Sequence, residues 1–366
     1  MESDIFQSSC LISDFIIRHF RFTIIQFVYF DKNLLKEDFL LDTGTHVVMG
    51  IALGGLATLD PSVATSHATT TSVLIATIAG SQIPDIDTLL KLRNNAIYIR
   101  NHRGVTHSIP AVLLWPLVIS AVVYLFFPDA NLLHLWAWTF AAVFIHVFVD
   151  IFNAYGTQAL RPFSSKWVAL GVINTFDPII FGIHVLGIFI WILGANPGIT
   201  FLLMYAVIIV YYIRRYQAKK RVLVGVRAII PDATEIIVAP TMKFHQWRIA
   251  AMNKKQFFVG RAVKDKVEIL DRFNRVPVPK TPVIEAAKKD KNLSAFLSFS
   301  PVYRWEVDEY KDFYEVRFID LRYRSNGHYP FVAVVQLDSD LNPISSYTGW
   351  VFSEKKLRKK LSIIPS

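Results

Sequence analysis

The chain carries a single cysteine, Cys10, among 366 residues, which excludes an intramolecular disulfide and suits a protein facing the cytoplasm. It has no recognisable nucleic-acid-binding motif, so a net charge of +10 does not by itself point to nucleic acid as a partner. It has no signal-peptide cleavage site either. The apolar run Phe15–Phe30 carries Arg18, His19 and Arg21, and no small-residue cleavage signal follows it. Residues 1–41 therefore read as an N-terminal extension. It is either an interfacial amphipathic helix or a product of start-site choice, with translation beginning near Leu41. Abundant polarity is also missing. Hydrophobic residues make up 53% of the chain and mean hydropathy is +0.37, too apolar for an ordinary soluble protein of this size.

The apolar residues are clustered, as a bilayer demands. Six stretches look able to cross: roughly 45–59, 70–90, 109–127, 132–152, 178–193 and 199–213. The first is rich in Gly and Ala, and Gly50, Gly54 and Gly55 lie near one face, where they allow close helix packing. Alternate loops, 60–69, 128–131 and 194–198, contain no Lys or Arg. The others carry Lys91, Arg93, Arg100 and Arg103, then Arg161 and Lys166, then the basic run from Arg214 to Arg221. By the positive-inside rule both ends of the six-segment bundle are cytoplasmic. The surplus of basic charge fits this topology and anionic lipid head groups as partners.

That topology gathers polar residues that were not used to set it. His46 opens the first segment. Asp85 and Asp87 end the second, and His102 and His107 occupy the next inside loop. His146 and Asp150 share a helix face at i and i+4 near the inner end of the fourth, and Asp177 opens the fifth. Ionisable groups in or beside membrane segments are costly and point to function. Imidazoles and carboxylates are ligands for zinc, manganese and magnesium, and this set exceeds what one tetrahedral ion needs. Either two ions bind, or some members orient ligands and move protons. Arg103 is placed to clamp a phosphate oxygen, and Asn153, Thr157 and Gln158 to bind substrate or orient ligands.

Each piece has a plainer reading. Asp-x-Asp after a proline is common at loop starts, His102 and His107 can face lipid phosphates, and His146 with Asp150 can be a structural pair. His184, mid-segment, reads as a packed histidine. His67, His134, His245 and His328 read as structural or surface residues, and Trp115 and Tyr155 as interface anchors.

From about Val222 charges mix with short alternating stretches, 235–238, 256–259, 314–318 and 331–335, which read as strands. Asn326-Gly327 and Asn342-Pro343 suit turns, and Pro277, Pro279 and Pro282 a loop or hinge. Residues 222–366 form a mostly β or α+β cytosolic domain with no nameable catalytic motif.

The run Asp42-Thr43-Gly44-Thr45-His46, the Ile83-Pro84-Asp85-Ile86-Asp87 segment, His102-Arg103-Gly104-Val105-Thr106-His107-Ser108 and His146-x-x-x-Asp150 together resemble the YdjM-like family. Its members are described as membrane-bound, metal-dependent hydrolases, also as LexA-binding inner-membrane hydrolases. The resemblance covers Asp42 to about Arg221, and the longer C-terminal domain fits its Bacillus-type branch. It implies a hydrolase in the bacterial cell membrane, carried by His46, Asp85, Asp87, His102, His107, His146 and Asp150. Asp87, His107 and Arg103 are the expected catalytic groups. Members typically begin just before the Asp-Thr-Gly-Thr-His run, so the first forty residues depart from the pattern.

Three functions compete. The first is hydrolysis of a phosphoester or acyl bond in a lipid or lipid-linked substrate, with one or two divalent ions, zinc before manganese or magnesium. The second is a non-enzymatic regulator or scaffold, with a structural metal and a protein-binding cytosolic domain. The third, an ion transporter, is disfavoured because the polar residues lie on one side only.

Overall fold

A computed structural model describes residues 37–92 and 94–363. The expectations for the N-terminal extension before residue 37, and Arg93 of the first basic loop, lie outside them. The chain forms two compact units. Among the described residues, one comprises those from Glu37 to Ile86 together with Val105–Arg214; the other comprises those of Asp87–Gly104 and those from Arg215 to Ile363.

The helices run α1 (Glu37–Leu56), α2 (His67–Gly80), α3 (Asn95–Asn101), α4 (Ile109–Phe126), α5 (Leu132–Asp150), α6 (Pro178–Ile192) and α7 (Pro197–Ile229). Short 3-10 segments at Ala57–Leu59, Ile83–Leu92 and Val105–His107 join them. Polar side chains start the apolar helices. Ser66, Ser108 and Asn131 accept from the third residue ahead at α2, α4 and α5. Asp177 accepts from Ile179 N and Ile180 N at α6, with Pro178 in the first turn.

All six apolar stretches are helical, but only α4, α5 and α7 are singly long and apolar enough to cross a membrane. A fourth crossing requires α2 and Ile83–Leu92 to act as one broken span, bent by 43°. The expected segment 70–90 is therefore interrupted: helix stops at Gly80, and Pro84 has no N–H with which to continue it. Thr43–Leu59 and α6 are shorter apolar helices.

Small residues set the spacing as the sequence suggests. A Cβ on Gly50 would stand 2.7 Å from Ile78 Cα, and one on Gly80 would stand 3.2 Å from Ala142 Cβ. So α1 lies close on α2, and α2 on α5. Gly55 faces Phe201 of α7 instead. The outer faces of α4 and α7 leave Leu113, Leu117, Leu125, Leu203 and Ile209 exposed, the pattern of helices solvated by hydrocarbon.

Beyond Ile213, where a basic loop was expected, α7 continues to Ile229 as helix. Ala218, Val222, Val226 and Ile230 recur at helical spacing and pack on Val238, Trp247, Ile249 and Phe258. The basic residues between them hide this stripe in the sequence.

The second unit carries two antiparallel four-stranded meanders. The first is β1 (Glu235–Pro240), β2 (Gln246–Met252), β3 (Gln256–Val263) and β4 (Lys266–Asn274). After the proline linker come α8 (Pro282–Lys289) and α9 (Lys291–Phe299). The second meander follows as β5 (Tyr303–Glu309), β6 (Phe313–Asp320), β7 (Phe331–Asp338) and β8 (Pro343–Trp350), then α10 (Glu354–Ile363). The four expected strands fall in β1, β3, β6 and β7. Of the other four strands, β2, β4 and β5 mix charged with aromatic or apolar residues, and β8 is rich in Ser, Thr and Gly, so none shows a clean alternation. Asn326 and Gly327 both take positive φ, 48° and 81°, as an Asn-Gly turn does. The loop 87–104 belongs to this unit: α3 packs on α9, and the Asn95 side-chain amide donates to the Thr348 carbonyl of β8.

Candidate metal centre

Three segments of the first unit bring two carboxylates and two imidazoles to one point. Asp85 sits in the 3-10 segment just past the α2 bend. His107 ends the 3-10 turn before α4, fixed by the Ser108 hydroxyl donating to Val105 O at 2.6 Å. His146 and Asp150 stand one turn apart on the inner end of α5.

One ligand atom from each of Asp85, His107, His146 and Asp150 lies within 4.8 Å of all the others, an arrangement that can hold a metal ion. His107 Nε2 is 3.2 Å from Asp150 Oδ2 and 3.5 Å from Asp85 Oδ1. His146 Nε2 is 3.6 Å from Asp150 Oδ2 and 3.8 Å from Asp85 Oδ1. His46, from α1, places Nε2 3.7 Å from Asp150 Oδ1 and stacks on His146 with ring centroids 3.9 Å apart.

The surroundings aim these groups. His146 Nδ1 donates to the Ser81 carbonyl at 2.7 Å, which leaves Nε2 as the lone-pair nitrogen facing the cluster. Asn153 donates to Asp150 Oδ1 at 3.3 Å and is itself held by Tyr155 N and Gly156 N. Trp115, expected as an interface anchor, donates to Thr106 O at 3.3 Å beside His107. Ser81, Thr106 and Trp115 were not found as site residues from the sequence. For Ser81 no signal exists, because a backbone carbonyl acts there.

Burial disfavours a charged His107, yet Asp150 and Asp85 outweigh it and lift the imidazole to about 9. Asp85 Oδ1 and His146 Nε2 are buried and have no hydrogen-bond partner among the described residues. Two such donor atoms facing each other across 3.8 Å fit a divalent cation between them.

The remaining expected residues are not members of this four-residue group. Asp87, His102 and Arg103 belong to the second unit. There Asp87 Oδ1 is 2.8 Å from His102 Nδ1, and Oδ2 accepts from Arg103 N at 2.8 Å. Arg103 takes a positive φ of 57°, and its side chain is buried. Thr157 pairs through its backbone with Val168, and Gln158 donates to Ser165 O. Asp177 caps α6 and accepts from the Tyr211 hydroxyl at 2.7 Å. His184 is buried, with Nδ1 on Ile180 O at 2.8 Å. His134 pairs with Asp60 at 2.5 Å.

Residues 41–222, which carry the whole cluster, match the model of the YdjM inner membrane protein family. The uncharacterized protein YfhP of Bacillus subtilis (strain 168) is 64% identical over 324 residues, 88% of this chain and 99% of that protein. The chain belongs to the YdjM family. The second half matches two further models named for YfhP. The YfhP middle domain covers 231–273, the first meander, and the YfhP C-terminal alpha/beta plait domain covers 282–361, the second meander with its helices. No solved structure matches. An inner-membrane family accords with the apolar helices that surround the cluster in this YdjM-family chain.

Proposed function

We propose that this chain is a multi-pass membrane hydrolase, dependent on a divalent metal, with both ends of its helical unit on the cytoplasmic side. Its substrate is a phosphoester or acyl bond in a lipid or lipid-linked molecule. The observation that carries the reading is the convergence of Asp85, His107, His146 and Asp150 from separate segments into one buried cluster. Loop charges support the orientation. Placing paired carboxylates and imidazoles among apolar helices is costly unless they are used.

Asp85, His107, His146 and Asp150 would hold the ion, zinc first by its donor set. When bound, it supplies Lewis acidity, lowering the pKa of water toward about 7 and polarising a carbonyl or phosphoryl oxygen. The protein does the rest. Ser81 O fixes the His146 ring, and Asn153 holds the Asp150 carboxylate. His46 Nε2, at the edge of the cluster, is placed to give or take a proton beside Asp150 Oδ1. Asp87, His102 and Arg103 hold one another in the second unit, so the reading rests on the cluster alone.

The test is elemental analysis of the detergent-solubilised protein, wild type beside Asp85→Ala and His146→Ala. Near-stoichiometric metal that disappears in the variants supports the reading and justifies screening lipid phosphoesters. No metal in the wild type, after reconstitution with several ions, overturns it.

A further inference from the structure

A cavity of about 450 Å³ lies against the metal cluster, and His46 and Asp150 stand in its wall. That volume falls within the range of small-ligand sites, about 300–1,000 Å³. Away from the cluster its lining is apolar, with Met49, Ile145, Val149, Ile180 and Ile208. Phe148 on α5 and Ile209 and Ile213 on α7 also line it, yet they are 46%, 59% and 52% exposed. The cavity is therefore open on the side where α5 and α7 present their apolar surfaces. Those two helices are among the three in the described residues that are long and apolar enough to cross a membrane. An opening between them meets hydrocarbon rather than water.

We propose that this cavity receives one hydrocarbon chain of a membrane lipid, entering sideways between α5 and α7, with the lipid's head at the His46 and Asp150 end. What happens at the head rests on the hydrolase reading; binding of the chain rests on the cavity. Water gains little in a pocket walled by Ile, Met and Phe, whereas an alkyl or isoprenyl chain buries apolar surface at about 25 cal/mol per Å². The polar end differs in kind. Asn153, Asn174 and Thr175 also line it, and their amides and hydroxyl suit a phosphate or ester group. The arrangement threads a lipid so that its chain fixes which bond reaches the cluster.

The full-length protein is placed in nanodiscs of dioleoyl phosphatidylglycerol, with or without added polyprenyl phosphate. Lipids retained on ejection are then counted by native mass spectrometry. Wild type is expected to keep one lipid, and its mass tells an acyl from an isoprenyl source. Ile208→Trp and Ile145→Trp fill the cavity from two different helices. Each is expected to retain about tenfold less, as an overpacking clash of a kcal/mol or more produces. Thermal unfolding and metal content of each variant check that the fold survives. Equal retention in wild type and in folded filled variants overturns the proposal. Should the wild type hold no metal yet lose lipid only when the cavity is filled, the chain pocket stands and the hydrolase reading falls.

Discussion

His146 donates through Nδ1 to the Ser81 carbonyl at 2.7 Å, and this single bond decides which ring nitrogen faces Asp85 and Asp150. A carbonyl only accepts, so the proton sits on Nδ1 and Nε2 keeps its lone pair. The bond also locks α5 to the last turn of α2, where the two helices already touch at Gly80 and Ala142. Packing and ligand orientation are thus one feature. His146→Gln is expected to lose metal wholly, because the amide cannot reach Ser81 O and the cluster together. Elemental analysis of the purified variant checks this.

Orientation from Asn153 is a separate matter of degree. Asn153 is no member of the ligand cluster; it holds Asp150 Oδ1 and the following turn. Partners of this kind are worth about 10–100-fold in metal affinity. Asn153→Ala is expected to weaken retention by that much without abolishing it, read by competition against a chelator. Unchanged affinity would show that Asp150 is positioned by α5 alone.

Asp87 and His102 provide a test of ion number. They form a pair within the second unit, with Asp87 also accepting from Arg103 N. Asp87→Asn and His102→Gln are therefore expected to leave the metal of the first-unit cluster in place, whereas Asp85→Asn removes it. If Asp87→Asn instead halves the metal content, two ions bind and the pair is a second site.

Much of this centre was legible in the sequence. The topology gathers His46, Asp85, Asp87, His102, His107, His146 and Asp150 at one end of the bundle, and of these His46, Asp85, His107, His146 and Asp150 lie together within the first unit. Spacing alone could not show that the loop from Asp87 to Gly104 folds with the second unit, because nothing local in that loop reveals the Asn95 contact with β8. The break after Gly80 was hidden inside one apolar run. The extension of α7 was masked by Arg214 to Arg221, whose charges alternate with an apolar stripe. In the second unit, β2, β4 and β5 mix charged with aromatic or apolar residues, and β8 is mostly small and hydroxyl residues beginning with a proline, so a period-two pattern is blurred.

Helix spacing in the first unit predicts a sharp contrast between glycines. A Cβ on Gly50 meets Ile78 backbone at 2.7 Å, while one on Gly182 meets nothing within 4 Å. Gly50→Val is expected to lower stability by about 1–3 kcal/mol, as overpacking does. Gly182→Ala is expected to be neutral or slightly stabilising, because alanine favours helix. Thermal unfolding in one detergent compares them. Equal effects would mean α1 and α2 do not pack as closely as their contact requires.

The second unit carries its own acid response. Glu315 is buried on β6. Burial alone would raise its pKa, but Arg358 and Arg317 outweigh this and hold it below the ordinary 4.5. Arg317 reaches Oε1 at 2.9 Å, and Gln336 donates to Oε2 at 3.0 Å. Asp271 likewise is held below the ordinary 3.8 despite some burial, by Tyr329 and Arg324. A carboxylate with a depressed folded-state pKa adds stability above its unfolded pKa and loses it as pH falls through the folded value. The second unit is therefore expected to keep full stability down to about pH 4.5 and to weaken progressively below it. Glu315→Gln removes the charge that Arg317 and Arg358 pair with, costing about 1–3 kcal/mol at neutral pH and flattening the acid limb. Urea unfolding followed from pH 7 to pH 3 measures both effects, and a Glu315→Gln curve parallel to wild type throughout would show that Glu315 contributes nothing to the acid response.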